Sequence, residues 1–356
     1  MGAVDSREQV EAQPLDVQLK AAGVDRACVL SGLTGRQLLR RAAVATAVVV
    51  VVVLAIAELP ALHAVRARLS DAHPGWIAAA AGMEAASVAC FTLALQRAFR
   101  GTLGPRGAVW LGTTSQGVNA VVPAGGTAGF AFAAVVLADT GFPVASTVAR
   151  LIALFLITSV LTNLMLIVVG GGGTAVGVMT AHASLGASVA PAVLALGLLG
   201  VFTIALRPTR RRQSSAVARF RLFFLRDAIG VSGELLSARD PWLAVGALGY
   251  VFCDLVALAA ALAALGWGGL GAGTIILGYT LGQIGSVVPL PGATEGGLAG
   301  ALALYGAPLT LAVPAVLVYR TIALAVPLLL AAVGALQLRH GLEVTSGSDA
   351  TSPATT

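Results

Sequence analysis

Long apolar runs alternate with short, arginine-bearing polar stretches along most of the chain. A helix needs about 20 apolar residues to cross the roughly 30 Å hydrocarbon core of a bilayer. Six runs approach or exceed that length: 42–59, 75–95, 143–169, 189–206, 241–265 and 310–338. No short alternating strands with polar inward faces are present, which argues against a β-barrel. Two further apolar stretches, 107–139 and 270–306, break near their middles. The first break reads Val121-Val122-Pro123-Ala124-Gly125-Gly126 and the second Val287-Val288-Pro289-Leu290-Pro291-Gly292. The arms beside each break span roughly 12–18 residues, or about 18–27 Å of helix, too short for a full crossing. They predict re-entrant helical hairpins, since broken backbone at membrane depth is tolerated only where protein or a cavity covers it. The competing expectation is a pair of kinked full spans at each.

Charge placement orients these elements. With Arg36, Arg40 and Arg41 on the cytoplasmic side, 18 of the 22 basic residues fall inside, two outside (Arg66 and Arg68) and two within the membrane (Arg150 and Arg320). That asymmetry follows the positive-inside rule. Both termini are then cytoplasmic, and the glycine-rich stretch Gly170–Gly173 reads as an external loop.

The two broken stretches resemble each other. Residues 111–123 match residues 277–289 at six of 13 positions, with an offset of 166, and the shared residues include Gly, Thr and Pro in the same order. Residues 148–154 match 318–324 at five of seven positions, with an offset of 170, and this match pairs Arg150 with Arg320. Self-similarity of this kind marks an internal repeat. On the predicted topology the halves, about 42–169 and 189–338, run in opposite directions through the membrane. Inverted repeats with broken helices meeting near the midplane are an alternating-access architecture.

Composition narrows the class. The chain has 356 residues, of which 57% are hydrophobic and only 11% charged, and its mean hydropathy is +0.90. A soluble domain carries about 25% charged residues, so a soluble enzyme, a nucleic-acid module and extended disorder are excluded for most of the length. Cys28, Cys90 and Cys253 have no metal or redox spacing. His63, His73, His182 and His340 are scattered at segment ends, so no metal site and no cofactor are expected. Nor does any Walker loop, nucleophile elbow or metalloprotease motif appear. Residues 1–35 read as a flexible cytoplasmic tail without a signal peptide, 36–340 as the membrane domain, and 341–356 as a disordered tail. The basic linker 207–240 holds an aromatic and arginine-rich stretch, 216–225, that suits either an interfacial helix on anionic lipid or a simple cytoplasmic anchor.

Charges inside the apolar runs are the candidate chemistry, because each costs several kcal/mol in lipid unless paired or wetted. They are Glu84, Arg150, Asp254, Glu295 and Arg320. One reading makes Arg150 and Arg320 a bidentate clamp for an anionic head group, with Glu295 beside them. Glu84 and Asp254 are candidates for proton coupling or for counter-ions. The alternative is a set of structural ion pairs between helices. Asn119 and Gln283, on the broken arms, either line the same cavity or satisfy the broken backbone. The hairpin tips are Pro123, Gly125, Gly126, Pro289, Pro291 and Gly292.

The motifs Asn119-Ala120-Val121-Val122-Pro123-Ala124-Gly125-Gly126 and Val288-Pro289-Leu290-Pro291-Gly292-Ala293-Thr294-Glu295-Gly296-Gly297, with Tyr319-Arg320 downstream, carry a likeness to a known family. Over about 35–340 the chain resembles the lysylphosphatidylglycerol synthase transmembrane, or flippase-like, family. That resemblance implies a bacterial inner-membrane protein that moves lipids between leaflets. Bifunctional members carry a soluble aminoacyl-transfer domain after the membrane region; this chain leaves no room for one, and lysyl-lipid synthesis is not expected. It also departs from the family pattern. No carboxylate follows the first Pro-Gly turn, and the second motif reads Pro-Gly-Ala-Thr-Glu where a glycine-richer form is usual.

The sequence therefore predicts an all-α polytopic membrane protein with about six full transmembrane helices, two re-entrant hairpins and two inverted-topology repeats. The expected function is translocation of an anionic, aminoacylated or polyprenyl-phosphate-linked lipid. The expected partners are membrane lipids and a membrane enzyme, with no nucleic acid. The rivals are a non-transporting scaffold for a lipid or cell-wall synthase and an intramembrane lipid-modifying enzyme.

Overall fold

A computed structural model describes residues 70–100, 102–122, 126–180, 184–205, 216–266, 270–283 and 292–348. The expected first span (42–59), the hairpin-tip residues Pro123, Gly125, Pro289 and Pro291, and residues 1–35 lie outside the described residues. The described residues form helices and turns, with no strand among them.

The helices, in chain order, are α1 (Pro74–Ala98), α2 (Pro105–Val121), α3 (Ala128–Asp139), α4 (Val144–Phe155), a π-helical turn (Leu156–Leu161), α5 (Thr162–Ala175), α6 (Leu185–Ala205), α7 (Ala216–Ser237), α8 (Pro241–Ala264), α9 (Ala272–Gly282), α10 (Ala293–Leu304) and α11 (Leu309–Ser348). Four continuous apolar stretches among the described residues are long enough to cross a membrane: Pro74–Ala98, Val144–Ala175, Pro241–Ala264 and Leu309–Gly334. Large apolar side chains face outward on several helices, including Leu194, Val201, Phe252 and Leu329, while Glu84 is buried and Asp254, Glu295 and Arg320 are only partly exposed. That is the polarity of a protein solvated by lipid.

The centre of the bundle is the α1–α8 pair. The two helices run antiparallel, with the ends tied at both extremities. At one end the His73 backbone N–H donates to the Ala264 carbonyl at 2.8 Å. At the other, Asp240 lies 3.8 Å from Arg97 and 3.5 Å from Arg100. Each helix opens with proline at its first position behind a side-chain cap, where the missing N–H costs nothing. His73 Nδ1 accepts from Gly75 N in α1, and Asp240 Oδ1 accepts from Trp242 N in α8. Small residues set the spacing: a Cβ on Gly246 would meet Ala94 N at 2.7 Å and Cys90 O at 2.8 Å. Close backbone approach through small residues is how helices pack where lipid removes the hydrophobic drive.

Around this pair the contacts follow a regular scheme. The last long helix, α11, packs on α2, and α5 packs on α9. The pair α2–α3 forms one short-armed hairpin and α9–α10 another. Their arms have 17, 12, 11 and 12 residues. Both hairpins use a glycine at positive φ behind the break, Gly126 (79°) and Gly292 (84°), and both close with a second one, Gly141 (90°) and Gly306 (97°). The exits share their hydrogen bonds too: Phe142 N donates to Leu137 O and Ala307 N to Leu302 O, each at 3.0 Å. This is the capping pattern that a left-handed glycine permits.

Two expectations change. The glycine run at 170–173 is not an external loop; it continues α5, where Gly170 packs on Ile276 and Leu277 and Gly171 on Ser188 and Ala192. Glycine is a poor helix former, but here its missing side chain lets α9 and α6 approach. The 143–169 run extends to Ala175 through the π turn, giving 32 residues, more than a perpendicular crossing requires. In addition, the linker 207–240 contains the 22-residue helix α7, packed against α4, and α11 runs past residue 340 to Ser348.

Candidate functional site

Three charged residues of the long helices stand at one level of the bundle. Glu84 lies about 15 Å along α1, Asp254 about 15 Å from the end of α8, and Arg320 about 16 Å along α11, by the 1.5 Å rise per residue. In a core of roughly 30 Å each is near the middle.

Asp254 is the hub. Its Oδ2 accepts from Tyr279 Oη of α9 and its Oδ1 from Tyr319 Oη of α11, both at 2.6 Å. Each carboxylate oxygen is thereby fixed by a phenol that is itself buried, Tyr279 and Tyr319 being 3% and 2% exposed. Glu84, from α1, is also buried, and its carboxyl lies against that of Asp254. Its Oε2 has no hydrogen-bond donor among the described residues. Tyr250, one helical turn before Asp254, sits beside Gln116 of α2, whose Nε2 is buried without an acceptor among the described residues. Ser87 anchors this turn by donating to the Tyr250 carbonyl at 2.8 Å.

Arg320 closes the cluster. Its Nε donates to Glu295 Oε1 of α10 at 3.0 Å, and both side chains are about one-third exposed (28% and 32%). Glu295 stands in the first turn of α10, where a negative charge also complements the free N–H groups of the helix start. Five helices thus contribute acids, phenols or the guanidinium: α1, α8, α9, α10 and α11. Formally the cluster holds three carboxyl groups and one guanidinium.

Arg150 does not join it. Its guanidinium lies over the Phe99 ring, 5.8 Å from the centroid. Phe99 caps the end of α1, about 22 Å along that helix from Glu84. The two arginines that the repeat pairs are therefore not brought together as one clamp. Asn119 is resolved differently from a cavity lining: its Oδ1 accepts from Gly129 N at 2.6 Å and latches the two arms of the first hairpin. Gln283 caps the end of α9 and is partly buried. Gly126 and Gly292 take the left-handed conformation expected of hairpin tips.

Tyr250, Tyr279 and Gln116 were not among the residues singled out from sequence, and Tyr319 entered only as the neighbour of Arg320 in a motif. A signal was present for two of the tyrosines. They stand where the repeats differ: Tyr279 aligns with Thr113 and Tyr319 with Ala149. Glu295 likewise aligns with Gly129 at the 166-residue offset. Among the described residues no group of three His, Cys, Asp or Glu side chains is arranged to hold a metal ion.

No family model, curated protein or solved structure matches the chain.

Proposed function

We propose that the protein is a flippase-like transporter of the bacterial inner membrane that moves an anionic, aminoacylated or polyprenyl-phosphate-linked lipid between leaflets. The observation that carries this reading is the mid-depth cluster of Asp254, Glu84, Glu295 and Arg320. A polar group of this kind inside an apolar bundle is costly unless it serves a pathway. In this reading the halves 42–169 and 189–338 are inverted repeats, and the α2–α3 and α9–α10 hairpins are re-entrant, entering from opposite faces. The reciprocal packing of α11 on α2 and α5 on α9, and the matched glycines Gly126 and Gly292, support it. The likeness of the second hairpin motif and Tyr319-Arg320 to the flippase-like family points to lipid as the cargo.

The chemistry follows from the partly exposed ion pair. Arg320 meets Glu295 through Nε, which leaves its terminal nitrogens for a phosphate oxygen in the planar, bidentate manner of guanidinium. A head group arriving from one leaflet exchanges with Glu295 for Arg320. Movement of the hairpins then opens the site to the other leaflet.

The test is purified protein in liposomes with head-group-labelled lipids and a membrane-impermeant quencher. Label reached by the quencher should rise beyond half only with wild-type protein, and a folded Arg150→Ala/Arg320→Ala double variant should lose the effect. Absence of transfer for every anionic, aminoacylated or polyprenyl-phosphate lipid, from well-folded protein, would favour the scaffold reading.

A further inference from the structure

The cluster contains more acid than its one guanidinium can neutralise, and the way its hydrogen bonds are assigned says where the remainder goes. Arg320 is engaged with Glu295 at 3.0 Å. Asp254 has a phenol on each of its two oxygens, at 2.6 Å. A carboxyl group that accepts a hydrogen bond at both oxygens acts as the ionised acceptor. Glu84 has no hydrogen bond to a phenol or a guanidinium among the described residues, although Arg320 lies within electrostatic reach of it. Only 6% exposed, it lies against Asp254, and its Oε2 meets no donor among the described residues. Two buried carboxyl groups in contact cannot both be ionised without large repulsion. A proton on Glu84 removes that repulsion, because the acid O–H then donates to Asp254, which has lone pairs to spare.

Gln116 Nε2, on α2, is a buried donor without an acceptor among the described residues. Tyr250 neighbours both Gln116 and Glu84. The charged and titratable groups facing Glu84 are Asp254, Tyr250 and Cys253 from α8 and Tyr319 and Arg320 from α11, with neutral Gln116 on the α2 side.

We infer that Glu84 is a proton-binding site at the centre of the bundle, with Asp254 as the fixed acceptor that holds the proton. The use of the site as a driver of transport rests on the proposed function, but the site itself does not.

Its test is carbodiimide labelling of wild-type protein in detergent, read by peptide mass spectrometry from mildly acid to mildly alkaline pH. A carbodiimide in an apolar environment adds to a protonated carboxyl, which becomes a stable acylurea with no leaving group. Glu84 should be labelled, labelling should fall as pH rises, and Glu295 should stay unlabelled. In a folded Asp254→Asn variant the fall should move to a different pH, since the neighbouring charge is gone. Wild-type protein unlabelled at Glu84 at every pH would overturn the inference, as would labelling that ignores both pH and Asp254. Because labelling needs no lipid movement, labelled protein that moves no lipid would remove the transport reading and leave the proton site. Lipid transfer by protein that never labels would do the reverse.

Discussion

The two hairpins share a backbone and differ in chemistry. Each enters through an apolar arm, turns on a left-handed glycine and leaves through a 12-residue arm capped by another. In the first, Asn119 ties the arms together through Gly129 N, and a Cβ on Gly129 would collide with the Ser115 carbonyl. In the second, the position matching Gly129 is Glu295, which reaches Arg320 on α11. Arg150, the counterpart of Arg320, has no carboxylate partner among the described residues and rests on the Phe99 ring. Tyr279 and Tyr319 replace Thr113 and Ala149 and bring phenols to Asp254. The two hairpins have the same backbone plan, and the carboxylate–guanidinium pair belongs to the second.

That comparison can be pressed at four places. The largest effect is expected from Arg320→Ala, which leaves Glu295 unpaired inside the bundle. Breaking a buried pair costs about 3–5 kcal/mol, and because this one is about one-third exposed the expected loss is about 2–3 kcal/mol, read by denaturant unfolding in micelles. Next is Tyr279→Phe or Tyr319→Phe. Each removes a bond to a charged acceptor and should cost about 1.5–3 kcal/mol, with the double variant less than additive because both bonds share Asp254. Asn119→Ala should cost about 1 kcal/mol through the lost Gly129 bond and leave the cluster intact. A loss of lipid transfer in Asn119→Ala protein of near-normal stability would show that the first hairpin is more than a latch. Smallest is Arg150→Ala, about 0.5–1 kcal/mol for an arginine over an aromatic ring. An effect as large as that of Arg320→Ala would dissolve the asymmetry.

Much of this was legible in the sequence and some was not, for physical reasons. Run length and charge placed α1, α4–α5, α8 and α11, because lipid demands long apolar helices. The Pro-Gly breaks located both hairpins, and the 166-residue offset even pairs Gly126 with Gly292. Glu84, Asp254, Glu295 and Arg320 stood out because a charge in an apolar run is rare. Which of them meet was not legible, since that depends on how five helices cross rather than on spacing along any one. Arg150 matched Arg320 in sequence yet lies near the end of α1, because the match says nothing about a partner. The glycines at 170–173 read as a loop by propensity, but in the fold they let α6 and α9 approach α5. Tyrosine in a span reads as core, and its hydroxyl became informative only once Asp254 was seen beside it.

The most direct test of the central claim sets the two arginines side by side. Arg320→Ala and Arg150→Ala proteins, each shown to be folded, would be reconstituted with wild type and scored for quencher-accessible head-group label. The account predicts transfer by wild type, loss with Arg320→Ala and retention of most of the rate with Arg150→Ala. Equal retention in both, or no transfer by wild type for any of the proposed lipids, would contradict it.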